Sequence, residues 1–301
     1  MNVDLKKIGT EQRNPNTMNI DVLSTIEIIK KINDEDKKVA YAVEAVLEDI
    51  APLVDKIVET FYKDGRLIYL GAGTSGRIGV VDAVECRPTY GVSDEMVQCL
   101  IAGGERAFIK AVEGAEDNKE LCVYDLKNIN LTKDDVVIGI AASGRTPYVI
   151  GGLEYAKEIG AVTGCIVTSP NSVIASMVDY PISAVTGEEA ITGSTRMKSG
   201  TAQKMVCNII STTAMVKMGK VYQNLMIDVM PTNQKLVARA HNIIATATGC
   251  TKEEAKELFD KYGNVKKAIF SSLSGIENKE EIEKYLEKAK GHIRNALSLV
   301  K

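Results

Sequence analysis

The chain has 301 residues, of which 45% are hydrophobic and 26% are charged, enough for a large α/β domain with a smaller appendage and with no sign of disorder. The net charge of -3 disfavours a general binder of nucleic acid or of anionic membranes, so any anion site must be local. Six scattered cysteines without a C-x-x-C pair, and apolar runs too short for a bilayer, predict a reduced, cytosolic protein without a transmembrane helix.

The first part of the chain is predicted to be a polar arm followed by helices. The arm reaches about residue 18, and helices are predicted over residues 21–33 and 36–65 from the three-to-four-residue spacing of apolar side chains. Pro52 is expected to bend or split the second helix, and Gly65 is expected to end it.

A parallel sheet is predicted next. Five short β-branched runs are mostly separated by helical stretches, which is typical of a parallel sheet with helices on both faces. The runs lie at residues 66–70, 95–102, 135–141, 162–168 and 180–185. The predicted fold class is therefore α/β, with a doubly wound parallel sheet.

The chain after the sheet is predicted to be helical. Long helices are expected within residues 193–219 and 232–249, and three shorter helical segments follow to the end of the chain. The short segments predict a small C-terminal helical subdomain, whose expected role is packing. The predicted division is an arm and helix over residues 1–35, an α/β domain over 36–230 and a helical region over 231–301.

A glycine pattern follows the first strand, Gly71-x-Gly73-x-x-Gly76, and has the spacing of a dinucleotide fingerprint. A dinucleotide site also needs an acidic residue at the end of the next strand, for the ribose hydroxyls. That strand ends in "IAGGE", which leaves Glu105 in an awkward place for the task. The sequence therefore disfavours NAD.

Hydroxyl-rich turns instead favour a phosphate monoester. In the first turn, Thr74 and Ser75 place hydroxyls where the N–H groups of a helix N-terminus converge. A second turn, residues 143–146, follows another strand of the same sheet, and ligands of open α/β sheets bind at that edge. A third polar turn, residues 194–199, adds positive charge. Helix capping is the alternative for each turn taken singly, whereas the pair of turns favours a sugar phosphate. The predicted phosphate-binding residues are Gly73, Thr74, Ser75, Gly76, Arg77, Ser143, Gly144, Arg145, Thr146, Ser194 and Lys198.

Carboxylates are the predicted catalytic groups. Only two histidines occur, His241 and His292, and both lie far along the chain from the turns, which disfavours a Ser-His-Asp triad and excludes a histidine-rich metal site. Glu85 ends an apolar helical run, and Glu116 lies among two further acids; such settings suit a carboxyl group that exchanges a proton near neutral pH. An ordinary exposed charge is the alternative for each.

The distance along the helix constrains Glu85. Ten residues separate it from Ser75, a rise of about 15 Å in a straight helix, which exceeds the reach from a hexose phosphate to its C2 atom. Either the helix bends or Glu85 serves the phosphate site of a neighbouring subunit. We favour the second interpretation.

Six segments from about residue 10 onwards carry a family resemblance. They read TEQRNPNTMNID, GAGTSGRIGVVDAVECRPTYG, AGGERAFIKAVEGAEDN, AASGRTPYVIGGL, ITGSTRMKSGTAQK and LMIDVMPTNQKLVARA. In order and spacing they resemble the N-acetylmuramic acid 6-phosphate etherase family. Arg87 and Ser199 depart from the family pattern, which has proline and alanine there, and neither is a proposed catalytic group.

The resemblance implies a sugar isomerase (SIS) domain in a homodimer that needs no cofactor and no metal. It implies cleavage of the D-lactyl ether of a sugar phosphate, with Glu85 and Glu116 as the acid and base pair. Two other functions stay open at this point. An aldose–ketose isomerase of the same fold would abstract the same C2 proton, and a non-enzymatic sensor would bind the sugar phosphate and regulate a partner protein.

Overall fold

The computed structural model describes residues 9–231 and 233–300. The chain packs as two compact units: the first holds the residues up to Val84 together with Asp94–Ser211, and the second holds Glu85–Ser93 together with the residues from Thr212 onwards. The first eight residues of the predicted arm, Thr232 and Lys301 lie outside the described residues. The predicted domain limits at 35/36 and 230/231 stay predictions.

The first unit is built on a five-stranded, all-parallel sheet, as predicted. The strands are β1 Leu67–Gly71, β2 Val97–Ile101, β3 Val136–Ile140, β4 Val162–Val167 and β5 Tyr180–Ser183. Their order is β2-β1-β3-β4-β5, with every neighbouring pair parallel. All residues of β1 and β3 are buried, which explains their unbroken apolar sequences.

Helices cover both faces of this sheet. The helices of this unit are α1 Thr25–Asp36, α2 Lys38–Glu44, α3 Leu47–Phe61, α4 Gly73–Tyr90, α5 Arg106–Ile109, α6 Lys119–Asn128, α7 Pro147–Ile159 and α8 Lys198–Lys217, and the last turns of α4 and α8 belong to the second unit. On one face, Leu126 of α6 and Leu153 of α7 belong to the same buried core cluster as Leu70 of β1. On the other face α4 lies so close that a Cβ at Gly79 would be 3.2 Å from the Tyr69 Cβ.

The helix predicted over residues 36–65 is two helices, and the break is not at Pro52. It falls at Val46, whose φ of -118° and ψ of 12° are not helical. Apolar residues on both sides of the break, such as Val43 and Ile50, are buried and keep helical spacing, so periodicity alone does not reveal it. Pro52 lies in the second turn of α3, where it removes one hydrogen bond without ending the helix.

The second unit contains a short hairpin and five helices around its own core. These elements are β6 Val221–Tyr222, β7 Leu225–Met226, α9 Gln234–Thr248, α10 Lys252–Tyr262, α11 Val265–Ser274, α12 Lys279–Lys288 and α13 Ile293–Ser298. The hairpin was not predicted. The last predicted segment is two helices, because Lys290 and Gly291 adopt positive φ angles of 51° and 80°. Among the described residues, no helix has the length and hydropathy that a membrane-spanning segment requires.

Candidate active site

The strand order brings the first two predicted turns to one edge of the sheet. β1 and β3 are parallel neighbours, with Gly71 paired to Ile140 at their carboxyl ends. The chain continues to β2 on one side of β1 and to β3, β4 and β5 on the other, so the order reverses between β1 and β3. Ligands of doubly wound sheets bind in the crevice at such a switch point. Residues 73–77 and 143–146 are therefore placed on either side of the expected binding crevice.

Glycines let α4 begin directly against β1. A Cβ at Gly76 would lie 2.6 Å from Ile101 Cγ1 and 2.8 Å from the Gly71 oxygen, so no side chain fits there. Gly73 has a φ of 52°, in the left-handed region that favours glycine, with open space around it. Close packing of α4 on β1 therefore explains the glycine spacing that resembles a dinucleotide fingerprint.

The polar side chains of the first turn have different partners. Ser75 is half-buried, and its Oγ donates a hydrogen bond to Oε1 of Gln203 on α8 at 2.9 Å. Thr74 is half-buried as well. Arg77 Nε donates to the Phe108 carbonyl at 2.9 Å, which ties α4 to the end of α5. Gln203 was not predicted, because nothing in the local sequence around residue 203 indicates that α8 crosses the β1 turn.

The second turn is shaped by Gly144. Its φ is 65°, and a Cβ there would collide with the Ser172 side chain, at 2.6 Å from Oγ. Ser143 and Thr146 are half-buried, whereas Arg145 is exposed. Thr146 is the N-cap residue of α7, yet its side chain makes no capping hydrogen bond. The turn therefore offers hydroxyl groups and an exposed guanidinium next to the first turn of a helix.

Glu116 lies beside this second turn. Its carbonyl accepts a hydrogen bond from the Tyr148 N–H at 2.9 Å, at the second residue of α7. The Glu116 side chain is exposed. Of the two predicted catalytic carboxylates, this one is held next to a predicted phosphate turn within the first unit.

The third turn is occupied by carboxylates of the protein itself. Glu189 is fully buried and accepts hydrogen bonds from the N–H groups of Lys198 and Ser199, each at 2.9 Å, and from Ser199 Oγ at 2.7 Å. Lys198 is also buried, and its Nζ lies 2.8 Å from Oε2 of Glu35. Ser194 is half-buried. The assignment of Lys198 to a substrate phosphate stays a prediction, and the ammonium would have to leave Glu35 to reach one.

The buried ion pair links the N-terminal segment to α8. Burial opposes ionisation of Glu35, but hydrogen bonds from Lys198 and Lys38 hold its pKa down, at about 2. Thr17 Oγ1 donates to the Ala190 carbonyl at 2.8 Å and docks the same segment on the loop before α8. Residues 35 and 198 are 163 positions apart, so no sequence spacing predicts their contact.

Glu85 does not have the apolar surroundings expected from its sequence neighbours. It is exposed on α4, and Val81 and Val84 are 48% and 58% exposed. α4 continues unbroken from Ser75 past Glu85, and ten residues of helix correspond to a rise of about 15 Å.

The two histidines lie in the second unit. His241 packs edge-on against Phe259 with ring centroids 5.4 Å apart, and a ring nitrogen of His292 is 2.8 Å from the Lys217 carbonyl. Within residues 9–231 and 233–300, no three or more His, Cys, Asp or Glu side chains are grouped so as to hold a metal ion.

Comparison with known proteins identifies the family. The model of the SIS domain matches residues 123–212, and that of the glucokinase regulatory protein N-terminal SIS domain matches residues 49–157. A Clostridium botulinum (strain Langeland / NCTC 10281 / Type F) protein named N-acetylmuramic acid 6-phosphate etherase is 57% identical over 300 residues, covering 98% of both chains. One of the same name from Exiguobacterium sp. (strain ATCC BAA-1283 / AT1b) is 54% identical over 97% of this chain and 100% of its own. The chain belongs to the N-acetylmuramic acid 6-phosphate etherase family.

As a member of the etherase family, the protein is an enzyme, a carbon–oxygen lyase. Its fold is that of the sugar isomerase domains. A Bacteroides fragilis NCTC 9343 protein, involved in capsule formation and provisionally described as a phosphosugar isomerase, superimposes with a TM-score of 0.52 over 67% of this chain and 95% of its own, at 23% identity. The family and the fold inferred from the six sequence segments are confirmed.

In this etherase the predicted site residues fall into three groups. The first unit brings together the two turns and the backbone of Glu116. It also contains the third turn, whose Lys198 is paired internally. Glu85 belongs to the second unit, on the exposed part of α4. The roles of all these residues stay predictions.

Proposed function

We propose that this etherase cleaves the D-lactyl ether of N-acetylmuramic acid 6-phosphate to give N-acetylglucosamine 6-phosphate and D-lactate, in the recycling of cell-wall amino sugars in the cytosol. Relatives that are 57% and 54% identical to this chain have that substrate in their names. The observation that carries the mechanism is the placement of Glu116, whose backbone is hydrogen-bonded to the start of α7 beside the second hydroxyl-rich turn.

The two turns form a clamp for the 6-phosphate. A phosphate monoester has only acceptor oxygens, so it needs donors from hydroxyls and backbone N–H groups. Ser75 and Ser143 supply hydroxyls from turns that follow adjacent strands, and the N-termini of α4 and α7 add their positive dipole ends. The exposed guanidinium of Arg145 adds positive charge.

The first half-reaction is an elimination across C2 and C3. When the sugar ring opens, the C1 aldehyde acidifies the C2 proton. Glu116 takes this proton, the C2–H electron pair forms the C2–C3 double bond, and the C3–O bond breaks with its electrons on the lactyl oxygen. Glu85 gives that oxygen a proton, so D-lactate leaves. General acid and base catalysis by two carboxyl groups is sufficient for these transfers.

The second half-reaction returns the two carboxyl groups to their starting states. Water adds to C3 of the unsaturated aldehyde, its proton passes to the ionised Glu85, and Glu116 gives its proton back to C2. The oxygen atom at C3 of the product therefore comes from water. The sum is hydrolysis of the ether, without a redox change and without a cofactor.

We propose that the enzyme is a homodimer in which Glu85 serves the partner's clamp. Arg77, Val81 and Glu85 recur at four-residue spacing along one side of α4. Arg77 is hydrogen-bonded to the Phe108 carbonyl, and the neighbouring Ile109 is 81% exposed. Exposed apolar side chains beside an exposed carboxylate are typical of a surface that another protein covers.

The test is D-lactate release from N-acetylmuramic acid 6-phosphate in heavy-oxygen water, with a chelator and without nicotinamide. Lactate and one heavy oxygen at C3 of the sugar are expected. Glu85→Gln and Glu116→Gln should each abolish lactate release and still bind inorganic phosphate, whereas Glu113→Gln, an exposed acid near Glu116, should stay active. A ketose product without lactate would overturn the proposal in favour of an isomerase, and full activity of Glu85→Gln would overturn its catalytic role.

A further inference from the structure

A buried amide adjoins the first turn of the proposed phosphate clamp. Gln203 lies on the first turns of α8 and has no exposed surface. Its Oε1 accepts the hydrogen bond from Ser75 Oγ at 2.9 Å. Its Nε2 is buried and has no hydrogen-bond partner among the described residues. A buried N–H donor without a partner is rare in proteins, so this arrangement is one that a ligand-bound state would change.

The hydrogen-bond capacity of Ser75 makes that change necessary. A serine hydroxyl has one proton and two lone pairs, and a phosphate oxygen only accepts. While the Ser75 proton points to Gln203, it cannot point to a phosphate. The carboxamide of Gln203 carries an acceptor, Oε1, and a donor, Nε2. A half-turn of the carboxamide exchanges the two, while the rest of both side chains stays in place.

We propose that Gln203 is a positioning residue of the etherase, which turns its amide when the phosphate binds and donates its Nε2–H to Ser75 Oγ. The Ser75 proton is then free to point into the clamp, and the lone pair that accepted from Gln203 fixes its direction. This inference rests on the proposed role of Ser75 in phosphate binding.

The neighbouring contacts hold Gln203 in place for this task. The α carbon of Gly200, one turn earlier on α8, faces the first turn of α4, where a Cβ would lie 3.4 Å from Thr74 Cγ2. The N-terminus of α8 is fixed by Glu189 through its hydrogen bonds to Lys198 and Ser199. The backbone that carries Gln203 is therefore fixed next to the turn of Ser75, and a rotation of the amide keeps the contact between the two side chains.

The first test compares two substitutions of Gln203. Gln203→Met keeps the approximate volume and removes the donor, so the KM and the dissociation constant for inorganic phosphate should rise about three- to tenfold while kcat changes little. Gln203→Glu keeps an acceptor but cannot donate when ionised, and it should weaken phosphate binding about 10- to 100-fold. Gln234→Met, an exposed position on α9, is the matched control and should match the wild type.

Coupling to Ser75 distinguishes positioning from packing. In a Ser75→Ala background, Gln203→Met should change phosphate affinity by less than about twofold, because the hydroxyl that it orients is gone. An equal loss in both backgrounds would overturn the inference and assign Gln203 to packing. If Ser75→Ala itself leaves phosphate affinity unchanged, the clamp proposal fails. If Ser75→Ala weakens binding and Gln203→Met does not, only the role of Gln203 fails.

A measurement on the unsubstituted residue covers the case in which Gln203 variants do not fold. The chain has five glutamines, so glutamine-selective ¹⁵N labelling gives few side-chain amide signals. Titration with inorganic phosphate should shift the Gln203 amide protons in the wild type and leave them in place in Ser75→Ala. An amide signal that does not respond in the wild type, at a phosphate concentration that saturates the enzyme, would overturn the rotation.

Discussion

Glu35 and Lys198 form a buried ion pair between the N-terminal segment and the start of α8. Both side chains are almost completely buried, with 4% and 2% of their surfaces exposed. Removing two charges from water is costly, so such a pair is weak evidence for a gain in stability. Removing one partner of the pair is strongly destabilising, because the remaining charge is left buried without its partner. The pair therefore fixes the N-terminal segment and the start of α8 to each other.

The first prediction concerns this pair. Glu35→Gln leaves the Lys198 ammonium without its counter-ion and should lower the free energy of unfolding by about 3–5 kcal/mol at pH 7, measured by urea denaturation. Adding Lys198→Met to this variant should recover most of the loss, because both charges are then gone. A double variant that is as unstable as Glu35→Gln would contradict the role of the ion pair.

The same pair sets a pH dependence. Hydrogen bonds from the lysines outweigh burial and hold the pKa of Glu35 at about 2, below its ordinary 4.5. A carboxylate with a lowered pKa in the folded state contributes stability above its ordinary pKa, and this contribution is lost as the pH falls through the folded value. The difference in unfolding free energy between the wild type and Glu35→Gln should therefore shrink between about pH 4.5 and pH 2. A difference in unfolding free energy that stays constant over this pH range would contradict the lowered pKa of Glu35.

At the scale of elements, the turn after β3 depends on a glycine that no other residue replaces. Gly144→Ala should abolish phosphate binding or reduce it at least about tenfold, because the methyl group collides with Ser172 and the φ of 65° is strained for alanine. Stability should fall by about 2–4 kcal/mol through strain and overpacking. Both effects are measurable by phosphate titration and thermal unfolding.

Gly187 provides a matched control for the Gly144→Ala prediction. It has a φ of 69° and nothing within 4 Å of the position that a Cβ would take, so Gly187→Ala carries the backbone strain without the collision. It should lose about 1 kcal/mol of stability and keep its phosphate affinity. Ser172→Gly in the Gly144→Ala protein should recover part of the stability. Equal effects at the two glycines would show that the contact with Ser172 is unimportant.

The elements that the sequence predicted are those with local signals. The five strands are short and mostly apolar runs separated by helical stretches, and the turns at Ser75 and Ser143 combine glycine with hydroxyls directly after a strand. Parallel strands end at one edge, so the two turns had to meet there. The contact of Ser75 with Gln203 has no such signal, because it arises from the crossing of α4 and α8.

For Glu85, the sequence predicted apolar surroundings that the structure does not show. Its sequence neighbours are apolar, but a helix sends adjacent residues in different directions, so an apolar run does not make an apolar environment. Cys86 is buried while Glu85 is exposed. The break at Val46 was missed for a related reason, since burial continues with helical spacing across it. Tertiary packing determines both the exposure of Glu85 and the break at Val46, and the local sequence pattern does not indicate that packing.

At the scale of the whole molecule, the exposure of Glu85 becomes an argument about assembly. An exposed carboxyl group is surrounded by water, whereas a proton donor has to lie within hydrogen-bond reach of the ether oxygen of the substrate. Ten residues of α4 also lie between Ser75 and Glu85, which is a rise of about 15 Å in a straight helix. Both difficulties disappear if a second copy of the chain covers this side of α4 and brings its own clamp to Glu85.

The last prediction follows from the symmetry of such a dimer. Glu85→Gln chains are inactive, and Ser75→Ala chains are nearly so at a substrate concentration too low for their weakened phosphate binding. On mixing and reassociation at that concentration they should recover about a quarter of wild-type activity, because half of the dimers are mixed and each mixed dimer has one intact site. Mixing Ser75→Ala with Ser143→Ala is the control, since both turns belong to the same chain's first unit, and it should recover nothing. Recovery in neither mixture, with exchange of chains verified by mass, would place Glu85 and the clamp of one site on one chain.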